Sequence, residues 1–187
     1  ALIKIGNLSL IEKIIKDTKS EIQIDKINII VGYKKEKIKY EFKKYKIDYI
    51  NNKDFKKREM LYSFYIGLKK NINKDILVSY SDIHFFKNIL RKIKKKVFKK
   101  EILLPVQLNW KKIWKKRKKK ITKDCESLRY NNKNYLINIG QKINDPKEVM
   151  GQYMGVLYLP KKLIKKILKE LKKFLIYKKL HITNFLN

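Results

Sequence analysis

Apolar positions along the chain fall into short blocks, and their spacing switches between two kinds of period. Leu10, Ile11, Ile14 and Ile15 share one helical face and predict a helix over 8–19. The continuous apolar run 27–31, closed by Gly32, predicts a strand buried on both faces. A charged helix over 34–44 follows, with Ile38 and Phe42 inward, then a strand over 47–50 closed by Asn51-Asn52. Leu61, Tyr65 and Leu68 place a helix over 58–69, and 76–80 is another apolar strand, running straight into Ser81-Asp82. Further along, the pattern predicts helices over 84–95, 109–116 and 161–177 and strands over 101–106, 135–139 and 154–159. Strand and helix alternating at this spacing specify an α/β fold with a largely parallel sheet. No Gly/Pro/Ser-rich linker and no internal repeat interrupts the 187 residues, so the expectation is one domain over 1–187.

Composition changes this picture in one respect. Lys and Arg total 49 against 17 Asp and Glu, a formal charge of +32. Only four of those cations are arginine (Arg58, Arg91, Arg117, Arg129), and Lys, Ile and Asn are abundant while Ala, Gly, Pro and Arg are scarce. These preferences follow A/T-rich codons, so genomic base composition accounts for the charge, and Lys is spread over every segment rather than along one stripe. A nucleic-acid-binding protein is the rival reading of the same charge. With 44% hydrophobic residues the chain is too apolar for a disordered basic tail. No apolar run approaches the ~20 residues of a membrane span. One cysteine and two histidines leave no internal disulfide and no cysteine-based zinc site. A reducing, cytoplasmic setting is expected, without a membrane or a specific nucleic acid as partner.

Open parallel sheets collect their chemistry at the carboxyl ends of strands. Three such ends are visible: Gly32-Tyr33, Asn51-Asn52 and Ser81-Asp82. Asp82 is the informative one. A carboxylate at the rim of a buried strand suits Mg²⁺, which takes one or two carboxylates together with phosphate oxygens and water. The alternative is an N-cap for the helix that follows.

Several segments, in order, resemble the sugar-phosphate nucleotidyltransferase superfamily (MobA-like NTP transferases), and within it the cytidylyltransferases for phosphocholine and aminoethylphosphonate-type substrates. The stretch Ala1-Leu2-Ile3-Lys4-Ile5-Gly6 through Ser9-Leu10-Ile11-Glu12 is similar to the segment after the family's Pro-Lys. Ile29-Ile30-Val31-Gly32-Tyr33 resembles its second strand. Tyr49-Ile50-Asn51-Asn52 with Met60-Leu61-Tyr62-Ser63 resembles its base-binding loop and the helix behind it. Ile76-Leu77-Val78-Ser79-Tyr80-Ser81-Asp82-Ile83 resembles its metal-aspartate strand. Asn109-Trp110, Trp114, Arg117, Glu126-Ser127-Leu128, Ile139-Gly140 and Gly151-Gln152-Tyr153-Met154-Gly155 follow in the family's order. The departures are an absent Gly-rich G-x-G-x-R loop, an absent closing segment with a second metal-binding Asp, Gln107 in place of Asp, and Glu59 in place of Asn.

The resemblance implies a three-layer Rossmann-like fold with a mostly parallel mixed sheet, here a fragment lacking the first strand and the closing segment. It implies transfer of CMP from CTP, or of another nucleotide from its NTP, to a small phosphorylated or phosphonylated acceptor, with Mg²⁺ on Asp82 as the catalytic centre. Nucleotide contacts are implied for Gly32, Asn51, Ser63 and Ser81. Acceptor contacts are implied for Trp110, Trp114, Arg117, Gln152 and Tyr153. Trp110 and Trp114 share a helix face, which suits packing as well as an aromatic wall beside an ammonium group. Arg117 offers a guanidinium fork for a phosphate, or belongs to a solvated basic turn. Gly151 and Gly155 read as backbone-conformation residues. A non-catalytic remnant of the transferase fold is the remaining alternative, suggested by Gln107 and the missing ends.

Overall fold

In the computed structural model, residues 2–85, 87–116, 125–177 and 179–187 are described. A short hairpin, β1 (Lys4–Ile5) and β2 (Leu8–Ser9), turns at Gly6, whose φ of 61° suits a residue without Cβ. Helix α1 (Leu10–Glu21) follows at once because Ser9 and Glu12 form a reciprocal capping box. Then come β3 (Asn28–Val31), α2 (Lys35–Glu41), β4 (Asp48–Asn51), α3 (Met60–Lys70) and β5 (Ile76–Ser79). After α4 (Lys87–Lys94), β6 (Val106–Gln107) and α5 (Trp110–Lys115), the hairpin of β7 (Glu126–Tyr130) and β8 (Leu136–Lys142) leads to β9 (Gln152–Tyr153) and β10 (Val156–Leu159). Helices α6 (Lys161–Phe174) and α7 (Ile182–Leu186) close the described chain.

The layers can be read from side-chain alternation. On β10, Leu157 and Leu159 join a cluster with Leu61, Phe64 and Leu68 of α3 and Ile164 and Leu171 of α6. Their neighbours Val156 and Tyr158 face the other way, into a cluster with Leu90 and Ile93 of α4. Strand β5 divides likewise, with Ile76 and Val78 on the α3 side and Leu77 on the α4 side. Period-two alternation between two helical layers is the signature of a sheet covered on both faces. Asp75 ties this frame together: it accepts from the Tyr158 hydroxyl at 3.1 Å and from the Lys161 backbone N–H at 2.7 Å, which satisfies one free donor at the start of α6.

Strands β3 and β4 are parallel, in register from Asn28 opposite Asp48 to Val31 opposite Asn51. The β5–β10, β6–β9 and β7–β8 ladders are antiparallel. Helix α3 lies under both main pairs, packing on β3 at Gly67 and Ile30 and on β5 through its buried leucines. Helix α3 connects β4 to β5, and among the described residues β3–β4 and β5–β10 are separate two-stranded ladders.

Three local expectations are corrected. The strand expected over 101–106 is only β6, with Leu103 exchanging two backbone hydrogen bonds with Tyr158, because Pro105 has no N–H to continue a ladder. The strand expected over 154–159 is split into β9 and β10 at Gly155, whose φ is 71°. β3 is not buried on both faces: Ile30 is 36% exposed, and the described ladders give β3 a partner on one side only. Among the described residues, no helix is long and apolar enough to cross a membrane.

Candidate functional site

The candidate site starts from three strand ends. At the end of β3, Val31 is buried and Gly32 lies under Phe55, so closely that a Cβ on Gly32 would stand 2.6 Å from the Phe55 Cβ. At the end of β4, Asn51 is exposed whereas Asn52 is buried. The Asn52 backbone N–H donates to the Val31 carbonyl at 2.8 Å and its Nδ2 donates to Ser63 Oγ of α3 at 2.9 Å. At the end of β5, the Tyr80 N–H donates to the Gly155 carbonyl at 2.9 Å, and Ser81 and Asp82 follow in an exposed turn.

Two phenols stand behind Asp82. The Tyr80 and Tyr153 rings meet edge to face at 5.8 Å between centroids. Burial, then the Glu126 and Asp82 carboxylates, push the Tyr80 hydroxyl up to about 12. Burial and the neighbouring Tyr80 phenol push Tyr153 higher still. Both therefore stay protonated at neutral pH, and the Tyr153 hydroxyl is buried away from solvent. The Tyr80 ring also explains Gly155: a Cβ there would come within 3.0 Å of the ring.

The second part of the site lies on β6, β9 and the β7–β8 hairpin. Gln107 pairs with Gln152 and Val106 with Tyr153 across the β6–β9 ladder, and Gln152 Nε2 donates to the Glu126 carbonyl at 3.1 Å. Gly151 sits so close to Val106 that a Cβ would stand 2.2 Å from Cγ1. Trp110 is only 2% exposed and packs with Cys125, Ile143 and Val149, its ring edge to face with Trp114 at 6.3 Å. An open cleft of about 550 Å³ lies beside Trp110, with Leu108, Lys111, Lys112, Tyr130 and Met150 on its walls.

No protein-family model matches the chain. It is 29% identical, over 162 residues, to the CTP:phosphoglutamine cytidylyltransferase of Campylobacter jejuni. That match takes in 83% of this chain and 62% of the relative, so the chain spans less than two thirds of the relative's length. Among solved structures it superposes on the CTP:phosphocholine cytidylyltransferase of Streptococcus pneumoniae with a TM-score of 0.69 and 22% identity, over 100% of this chain and 73% of that one. It superposes on the inositol-1-phosphate CTP transferase of T. maritima with a TM-score of 0.69 and 14% identity, over 99% and 69% of the two chains. The fold is that of the nucleotidyltransferases.

Of the expected nucleotide residues, Gly32 and Asn51 lie at the ends of β3 and β4, Ser63 in the first turn of α3, and Ser81, with Asp82 beside it, in the turn after β5. Ser63 differs from the others in that its Oγ already accepts from Asn52. The helix-cap alternative for Asp82 is corrected: α4 starts at Lys87, so Asp82 is too far upstream to be its N-cap. The expected acceptor residues divide. Gln152 and Tyr153 lie together on β9, beside Glu126 and Ser127, whereas Trp110 and Trp114 lie on α5 and Trp110 is a core side chain. Arg117 falls outside the described residues. The sequence marks Asn52 as part of a strand end and Tyr80 as part of a strand, without a role in the site for either. Each is adjacent to a chosen residue, and only burial separates Asn52 from Asn51.

Asp82 supplies a carboxylate of the kind an open magnesium site uses. It is an exposed hard-oxygen donor just beyond a strand end, and among the described residues no group of three or more His, Cys, Asp and Glu could enclose a metal. A single carboxylate that leaves the remaining positions to phosphate and water is what Mg²⁺ commonly accepts.

Proposed function

We propose that the protein is a cytidylyltransferase that moves CMP from CTP to a small acceptor carrying a phosphate or phosphonate, releasing pyrophosphate. The observation that carries this reading is the fold shared with cytidylyltransferases, in which Asn52 ties the ends of β3 and β4 to Ser63 of α3, and Ser81 and Asp82 follow β5 in an exposed turn. The match to a CTP:phosphoglutamine cytidylyltransferase over 83% of the chain supports the same base and the same kind of acceptor.

An acceptor phosphate or phosphonate oxygen attacks the α-phosphorus of CTP in line. A new P–O bond forms, the bond from the α-phosphorus to the bridging oxygen breaks, and its electron pair leaves with pyrophosphate. No covalent enzyme intermediate is required, so the residues act by holding the reactants in place and stabilising developing charge. The ends of β3 and β4 hold the nucleoside. Asp82 holds Mg²⁺, which when bound supplies positive charge at the α-phosphate oxygens. Tyr80 and Tyr153 pack behind Asp82, and Gln152, Tyr153 and Trp114 take the acceptor, with Arg117 assigned to it by the resemblance alone. Trp110 supports this wall from the core. A cytoplasmic setting, a single domain, and the absence of a membrane or specific nucleic-acid partner belong to the same reading.

The test is pyrophosphate release by the whole protein, with any sequence its reading frame adds before Ala1 or after Asn187. It is assayed with each of the four NTPs and Mg²⁺, with phosphocholine and other small phosphorylated or phosphonylated acceptors supplied in turn. Turnover that prefers CTP and requires an acceptor is expected. CTP binding without turnover indicates a non-catalytic remnant. No nucleotide binding, together with a steeply salt-dependent affinity for RNA at physiological salt, favours the nucleic-acid reading instead.

A further inference from the structure

Asn52 connects three segments at the end of β4. Its backbone N–H extends the β3–β4 ladder by one rung to Val31. Its side chain is 3% exposed and uses both ends of the amide: Nδ2 donates to Ser63 Oγ at 2.9 Å, and Oδ1 accepts from the Asp54 backbone N–H at 2.9 Å. One side chain thus joins a strand end, the first turn of α3 and the loop between them. At the far end of that loop, Arg58 donates to the Leu175 carbonyl at 2.9 Å, while Glu59 caps α3 without a side-chain hydrogen bond. The Ser63–Asn52–Asp54 chain is therefore the polar tie at the start of the loop. The span it holds carries Phe55, which lies on Gly32 with its ring 6.4 Å from that of Tyr33.

We propose that Asn52 is the positioning residue of the nucleotide edge, fixing the loop 53–58 against Gly32, and that Ser63 acts through Asn52 rather than on the nucleotide itself. The inference rests on the cytidylyltransferase reading and assigns an architecture to its nucleotide end. An amide suits the task because the site asks for a donor toward Ser63 and an acceptor for Asp54 at once, and among side chains of this size only Asn offers both without charge. Removing one partner of a buried hydrogen bond leaves the other unsatisfied, which the loop can relieve only by moving.

Asn52→Leu, Ser63→Ala, Ser63→Thr and the double variant Asn52→Leu/Ser63→Ala are compared with wild type. Steady-state kinetics for CTP and acceptor are measured at a temperature where circular dichroism shows every variant fully folded. Asn52→Leu is expected to raise KM for CTP about tenfold or more, the scale of a lost buried polar contact, with KM for the acceptor within about twofold. Ser63→Ala is expected to shift KM for CTP in the same direction, and Ser63→Thr, which keeps the hydroxyl, to restore it. The double variant is expected to be no worse than Asn52→Leu alone, since both changes break one link. If folded Asn52→Leu keeps the wild-type KM for CTP, or if the two single effects multiply in the double variant, the inference is overturned while the cytidylyltransferase reading stands. Wild-type protein that neither binds nor turns over CTP overturns both.

Discussion

Strand pairs β5–β10 and β3–β4 are equally long and share helix α3, yet they are held in different ways. All four residues of β10 are buried, and the strand is pressed between α3 and α6 on one face and α4 on the other. β3 and β4 bury only Val31 outright, Ile30 reaches solvent, and the adjoining α2 buries no residue. The β5 end of the site, with Asp82, is thus borne by a core that resists displacement. The β3–β4 end depends on individual hydrogen bonds such as those of Asn52. Packing supplies stiffness in one half and polar ties supply it in the other.

The sharpest way to break this comparison is a pair of truncations. Leu157→Ala on β10 removes a fully buried side chain and is expected to cost about 3–5 kcal/mol, while Ile30→Ala on β3 is expected to cost less than about 1 kcal/mol, since part of that side chain is already in water. Denaturant unfolding of the two variants measures both, and equal losses would mean that the halves are packed alike. A smaller effect comes from Gly155, where the chain turns into the frame with φ at 71°. Gly155→Ala is expected to lose about 2 kcal/mol, combining the left-handed backbone with contact against Tyr80. A loss near zero would mean that the Tyr80 ring swings aside.

The smallest effect lies at the start of α1, which packs on the β3 side. Ser9→Ala breaks the capping box and is expected to cost about 1 kcal/mol by thermal unfolding. Its partner Glu12 is held down to about 2 by the Ser9 backbone N–H first, then by Lys44 and Tyr45. A carboxylate depressed in the folded state contributes stability that is fully present above its ordinary pKa near 4.5 and is lost as pH falls toward about 2. Wild type should therefore lose stability between about pH 4.5 and 2 more steeply than Glu12→Gln. Parallel pH profiles would remove Glu12 from the account.

The alternating half of the chain was legible in the sequence because its apolar positions repeat at helix or strand period. Helix α1, strands β3, β4 and β5 and helix α3 all lie within a few residues of where periodicity places them. The region after residue 100 was less legible. β6 and β9 are two residues long, and β7 carries Arg129 and Glu126 outward, so neither period rises above the polar background. At the site, the three strand ends were visible from their closing residues. The distinction between Asn51 and Asn52 was not, because it turns on which way a backbone points once it leaves β4. Trp110 shows the converse: its spacing with Trp114 fitted a ligand wall as well as a core, and burial with Cys125, Ile143 and Val149 decides for the core.

The electrostatic role proposed for the carboxylate just beyond β5 is tested most directly by turnover of Asp82→Asn in the whole protein beside its thermal midpoint. Asp82 is exposed and Asn is nearly the same size, so the midpoint should stay close to wild type. With only a neutral carbonyl to offer Mg²⁺, kcat should fall by about a hundredfold or more, the scale seen when a preorganised electrostatic element is lost, and the fall should not reside in KM alone. Wild-type turnover from folded Asp82→Asn, or a lowered midpoint with kcat unchanged, would contradict the account.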